Sequence, residues 1–461
     1  MTTVQLPPEL WDRIFDYLPF QQQLQKAVVC RDWNERVARR ANFSLSCPAH
    51  NSHNHIGAIR NSMRNYKSFK LERLQTEQEY VNSQQAILEC KQRFSIWKLS
   101  LSTVSNEMLE RFVDEHYDWI CTTRSLLLQL AEGEKFPVDV LARLVNLREL
   151  RLLNVTDTNA DWTRLWSQLR LIRVLTIDAA WHYNDEALGD LMESVSSHTS
   201  LIELTIRSND TTCLAMIANK LIHLEKLALI RLTVRLENVE LNFPSLKHLN
   251  LDIGWFVFNR PYLNINAPKL KYLRVSTKTI PFVRFTDRTK ILQMDLFGYS
   301  ISSPHPCFST VEKLGLTIQE PANQESVVEE IKLFPNVDTL VVKLISKDCA
   351  IAVPCASTFM HVKYLHLNNF VLCIDFFEQI AQIKLLQHLT IEECNFSLKT
   401  SSYQVDLSHL SYFRVKRVSL PMSVEVFPVV ASDQPPVVLI DKLRTHLWRN
   451  DHFNVFSSKW E

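Results

Sequence analysis

The sequence predicts an α/β chain in two parts: a three-helix module at the N-terminus, then an open, curved solenoid of stacked strand units. Three observations predict it. A short apolar frame returns along most of the chain. Stripes of helical period fill gaps between frames. A dense block, LPPELWDRIFDYLPFQQQLQKAVVCRDWN from Leu6 to Asn34, stands ahead of the first frame and is patterned unlike the rest.

The frame is apolar at positions one, four and six. NLRELRL holds Leu147, Leu150 and Leu152, and SLIELTI holds Leu201, Leu204 and Ile206. HLEKLAL and SLKHLNL repeat it with Leu224, Leu227, Leu229 and Leu246, Leu249, Leu251. It runs on to Leu386, Leu389, Ile391 and Leu410, Phe413, Val415, with looser frames near Tyr66, Ile96 and Ser125. Positions four and six are two apart, so in a strand both side chains point to one face. Position one turns in beside them. A single unit cannot cover that face, but a stack of units can. Between frames, NDEALGDLMESVSSH places Leu188, Leu191, Met192 and Val195 at helical spacing. The frames recur roughly every 20–29 residues, and from Tyr66 to Pro428 the chain resembles the leucine-rich-repeat family. It departs at position nine, where the usual asparagine is nearly absent. Asn209 is the match in the strong frames, and Gly254, Tyr299, Phe370 and Cys394 stand elsewhere.

In the opening block, Pro7 and Pro8 open a helix. Leu10, Ile14 and Leu18 form one apolar stripe, Trp11 and Phe15 a second, and Pro19 stops the helix. Leu24, Val28 and Val29 mark a second helix, and Trp33 and Val37 a third. So much apolar surface on so few residues suggests a module that packs on something else. Leu6-Pro7, Glu9-Leu10, Ile14-Phe15, Leu18 and Val29-Cys30-Arg31-Asp32-Trp33 resemble the F-box family pattern over Leu6 to Ala41. Gln22-Gln23 departs from the usual Asp-Leu and removes an N-cap, a loss of about 0.5–2 kcal/mol. The resemblance implies docking on a Skp-family adaptor and, through it, a cullin. It implies that Leu6, Pro7, Leu10, Ile14, Phe15, Leu18, Leu24, Val29, Cys30 and Trp33 face the adaptor or form the module core.

Composition narrows the function. A formal charge of +1 argues against a nucleic-acid partner. No apolar run has the length of a membrane span. MTTVQLPPELWDR has no basic start and no apolar signal core, so the expected location is cytosol or nucleus. The ten cysteines form no CxxC pair and read as reduced, mostly buried thiols. Six scattered glycines leave no phosphate-cradling loop. Neither Gly-x-Ser-x-Gly nor His-Glu-x-x-His occurs, so no catalytic role and no cofactor are expected. CPAHNSHNH gathers Cys47, His50, His53 and His55, but without a second half-site it reads as linker rather than zinc site. Leu439, Leu443 and Leu447 suggest a helical cap at the C-terminus.

In a leucine-rich-repeat strand, positions three, five and seven point to the concave face. The candidate target-binding residues there are Tyr272, Arg274 and Phe297, then Tyr364, His366, His388, Tyr412 and Arg414. Glu149, Arg151, Glu203 and Arg207 give the earlier frames mixed charge, whereas the last frames combine aromatic, histidine and basic residues, the types that dominate binding energy. The expected layout is an F-box at 1–42, a linker or N-terminal cap at 43–65, the solenoid at 66–431 and a capping tail at 432–461. The expected function is substrate recognition in a cullin-based ubiquitin ligase. The alternatives are an adaptor-bound scaffold without a cullin, or a leucine-rich-repeat binding or inhibitor protein.

Overall fold

Every apolar frame whose strand can be followed folds as one rung of a parallel ladder. The computed structural model describes residues 43–48, 53–62, 66–156, 160–179, 185–207, 214–234, 239–256, 262–277, 282–285, 289–297, 306–318, 324–345, 351–373, 375–396, 407, 409–416 and 437–440. Leu6, Pro7, Leu10, Ile14, Phe15, Leu18, Leu24, Val29, Cys30 and Trp33 lie outside the described residues. So do the side chains of His50, His53 and His55. The chain divides into one unit of residues 1–270 with 281–289, and another of 271–280 with 290–461.

In the first unit the ladder strands are β1 (Phe43–Pro48), β2 (Tyr66–Leu74), β3 (Lys98–Val104), β4 (Ser125–Leu130) and β5 (Glu149–Val155). They continue as β6 (Val174–Ala179), β7 (Glu203–Arg207), β8 (Lys226–Val234) and, after the short β9 (Val239–Asn242), β10 (His248–Phe256). Each pairs in parallel with the next in the ladder. Register lines position four up as a column: Phe69, Leu99, Leu126, Leu150, Leu175, Leu204, Leu227 and Leu249. None of these is more than 2% exposed. Burying each such side chain contributes about 1.5–3 kcal/mol, and a short lone strand has no partner face against which to gain it.

Helices close the back of this unit. Glu77–Arg93 starts at a capping box, with the Thr76 hydroxyl accepting from Glu79 N and the Glu79 carboxylate accepting from Thr76 N. Tyr80, Ser83, Ala86, Ile87 and Cys90 form its buried stripe. Asn106–Ile120 is capped by Ser105 and buries Met108, Phe112 and Trp119. Asp185–Ser196 buries Leu191 and Val195, two residues of the helical stripe expected there.

Two differences from the sequence expectation have simple causes. From Val234 onward the returns include strands rather than helices. β9, β11 (Tyr262–Asn266) and β13 (Phe282–Phe285) form a second parallel sheet that buries Leu241 and Ile265. VELN, YLNIN and FVRF alternate with period two and carry β-branched and aromatic residues, which favours strand over helix. The ladder also begins upstream of Tyr66, because β1 pairs with β2 and buries Cys47 completely. That burial pushes the Cys47 thiol up to about 11, the opposite of what a zinc ligand needs.

The second unit repeats the ladder with β12 (Tyr272–Thr277), β14 (Gln293–Phe297), β15 (Lys313–Ile318), β16 (Thr339–Leu344) and β17 (Tyr364–Asn368). A short pair, β18 (Val371–Leu372) and β20 (Asn395–Phe396), flanks β19 (His388–Glu392) in sequence, and β21 (Tyr412–Lys416) and β22 (Val437–Ile440) follow. Leu273, Met294, Leu314, Leu340, Leu365, Leu389 and Phe413 make its position-four column. Leu439 was expected in a helical stripe. Instead it sits in β22, opposite Arg414 of β21, because VVLI is a β-branched apolar run beside an open strand edge. Leu443 and Leu447 lie outside the described residues.

The missing position-nine asparagines have partial substitutes. Asn369 turns the chain in the left-handed region, at φ 63°, and its side-chain amide donates to Leu344 O at 2.9 Å. One repeat later the buried Cys394 thiol accepts from Phe370 N at 3.4 Å.

Candidate functional site

The face of the second ladder opposite its core is built by alternation. In β17, Leu365 and Leu367 are buried, so Tyr364, His366 and Asn368 point the other way. Parallel register then sets Tyr364, His388 and Tyr412 side by side, and likewise His366, Thr390 and Arg414. The three rings stack as a run. Tyr364 and His388 have centroids 4.5 Å apart at 27°, and His388 and Tyr412 5.5 Å apart at 28°. Burial holds the His388 ring below its usual pKa, favouring the neutral form that stacks between two phenols. Tyr364 remains 40% exposed, so the stack offers an open aromatic surface.

Two layers along the strands from the stack lies a charged row. Lys343, Asn368, Glu392 and Lys416 occupy successive rungs. Lys416 Nζ lies 2.8 Å from one Glu392 oxygen, and His366 Nε2 lies 3.4 Å from the other. The His366 ring, then Lys416, hold the Glu392 carboxyl down at about 2, against the opposing pull of its burial. Asn368 is 4% exposed, and its Oδ1 accepts no hydrogen bond among the described residues. Sequence reasoning passed over Asn368 and Glu392. Position seven in the frames of YLHLN and HLTIE marks both.

Tyr272 and Arg274 are brought together with Asp295 rather than with the C-terminal residues. Four rungs separate Tyr272 from Tyr364, roughly 19 Å. The Tyr272 hydroxyl donates to Asp295 Oδ2 at 2.7 Å. Burial raises the Asp295 carboxyl above its usual range, and raises Tyr272 as well. Gly315 makes room for that carboxylate, since a Cβ there would lie 2.6 Å from Asp295 Oδ1. Phe297 sits one layer away, opposite Ser276 and Thr317.

On the first unit the corresponding face spends its charges internally. Glu149 pairs with Arg151 at 2.7 Å, Asp178 with Arg207 at 2.9 Å and Glu203 with Lys226 at 2.5 Å. Among the described residues no group of three metal-ligating side chains occurs.

Residues 3–42 match the F-box-like family. No curated protein matches the chain. Among solved structures, an internalin (inlF) from Listeria monocytogenes str. 4b F2365 is similar at 14% identity, with 65% of this chain and 81% of that chain covered and a TM-score of 0.33. A plant peptide hormone receptor, RGFR1 in complex with RGF2, is similar at 11% identity, with 86% and 68% covered and a TM-score of 0.30. With its parallel ladders of L-x-x-L-x-L frames, the chain is an F-box-like segment followed by leucine-rich repeats.

Proposed function

We propose that the chain is the substrate-recognition subunit of a cullin-based ubiquitin ligase. Its F-box-like segment binds a Skp-family adaptor, and its repeats hold a target protein. The observation that carries this is the F-box-like match at residues 3–42 ahead of a repeat array. The Tyr364–His388–Tyr412 stack beside Arg414 is the target-binding surface: aromatic area with a cation at its edge is the composition of interface hot spots. The mechanism is positional and adds no bond-making group of its own. Holding a target at a fixed place raises its effective concentration at a conjugating enzyme recruited by the cullin. The site of action is cytoplasm or nucleus.

Affinity purification of the full chain from cells with cullin activity blocked, followed by mass spectrometry, tests this. Adaptor, cullin and a target recovered together support it. Adaptor without cullin points to a scaffold, and neither points to a leucine-rich-repeat binding protein whose N-terminal segment has another use.

A further inference from the structure

Where β4 to β8 and β10 begin, one residue per repeat stands just before the strand. In order they are Arg124, Arg148, Arg173, Ile202, Glu225 and Lys247. Their backbones form a ladder of their own. Arg148 N donates to Arg124 O and Arg173 N to Arg148 O, each at 2.8 Å, and the series runs on to Lys247. Rungs of such a ladder are about 4.8 Å apart, so three arginines stand in file over roughly 10 Å. All three are exposed, and among the described residues none makes an ion pair.

The repeat alone does not dictate this file. In the second unit the same place is held by Lys271, Leu292, Glu312, Asp338, Lys363, Gln387 and Ser411, linked by the same backbone bonds. There no run of cations forms: Glu312 and Asp338 are acidic, and Lys363 approaches Asp338 at 3.6 Å. Three like charges in file repel one another and gain only when an anion arrives.

The file leads into a cleft of about 490 Å³, lined by Arg173, Lys247, Lys269, Glu225 and the Thr199 and Ser245 side chains among others. Lys247 is committed to Glu225 at 2.7 Å. Arg173, Lys269 and the two hydroxyls keep their donors free among the described residues. From Arg124 to Lys247 is five rungs, roughly 24 Å, the reach of about seven extended residues.

We infer that this strand-entry edge docks an acidic segment of a partner polypeptide, about seven residues long, with its carboxylates on Arg124, Arg148 and Arg173 and its end in the cleft. Guanidinium forks donate two parallel hydrogen bonds to a carboxylate. The charge is spread along a line, which suits several monoanions better than one dense dianion. Glu225, inside the cleft, repels a phosphate dianion about twice as strongly as a carboxylate. The edge shares no residue with the aromatic patch or the F-box-like segment, so its failure and theirs are separable.

Fluorescence anisotropy of the full chain with a labelled heptapeptide of Glu and Asp tests it at low salt. The expected result is saturable binding, weakened at least tenfold in Arg148→Gln with Arg173→Gln and unchanged in Lys363→Gln, the matched position of the second unit. A matching thermal melt shows that the double variant is folded. Absence of binding, wild-type binding by the double variant, or equal binding of a Ser/Gln heptapeptide overturns the inference. Tighter binding of a neutral peptide carrying one phosphoserine, or of single-stranded RNA of similar length, overturns it as well.

Discussion

Tyr364 and His388 stack face to face across neighbouring strands, with ring centroids 4.5 Å apart. Neither residue is near the other in sequence; parallel register, fixed by the leucine columns beneath, puts them together. The rings lie on the strand face away from the core, so their stacking serves surface rather than packing.

Tyr412 and Arg414 close this surface on β21. Tyr412→Ala with Arg414→Ala is expected to lower target affinity at least tenfold, about 1.4 kcal/mol. Glu149→Ala with Arg151→Ala should cost less, because those two charges already satisfy each other at 2.7 Å. Isothermal titration calorimetry with a target recovered by purification decides it. A larger loss from the Glu149 pair would move the target to the first unit.

Glu392 should make the C-terminal repeats acid-sensitive. Its carboxyl is drawn from the usual 4.5 to about 2 by His366 and Lys416. A folded value below the ordinary one gives stabilisation that is complete above about pH 5 and is lost as pH falls from 4.5 toward 2. Urea unfolding of wild type and Glu392→Gln should differ by on the order of 2–3 kcal/mol near neutrality and converge by about pH 2. A difference that stays constant across that range would refute the assignment.

Gly315→Ala should destabilise the second unit. The added methyl would meet Asp295 Oδ1 at 2.6 Å and push the carboxylate off the Tyr272 hydroxyl. Losing a buried charge-assisted hydrogen bond costs roughly 1–3 kcal/mol. Combining Gly315→Ala with Asp295→Ala should recover part of the loss relative to the sum of the single changes. Purely additive melting shifts would show that the two sites do not touch.

Thr76→Ala removes one half of the capping box on helix Glu77–Arg93. The expected loss is about 0.5–2 kcal/mol, read as a lower urea midpoint, and Thr76→Ser should restore most of it.

The sequence frames located the core with little ambiguity, because leucines at positions four and six share one strand face that only a stack of neighbouring units covers. Leu150, Leu152, Leu365 and Leu367 show that directly. The returns were less legible. VELN and YLNIN were too short for their period-two pattern to be separated from a loop, and the strand fate of Leu439 depended on the open edge of β21. The candidate patch was legible as Tyr364, His388, Tyr412 and Arg414, since position numbering carries over from frame to frame. Tyr272 and Arg274 were placed in the same set, but Tyr272 bonds to Asp295 and Arg274 stands opposite it, three rungs from the stack. The arginine file is not legible in the frames, because it stands at position two, just before each strand, where the apolar pattern carries no mark.

The central claim is that the N-terminal segment grips an adaptor while the repeats fold and bind without it. Ile14→Asp puts a charge on the apolar stripe of that segment, where each buried side chain contributes about 1.5–3 kcal/mol. Pull-down of a Skp-family adaptor by the full chain should fall at least tenfold in Ile14→Asp, with the repeat array melting as in wild type. Adaptor recovered at the wild-type level would contradict the claim.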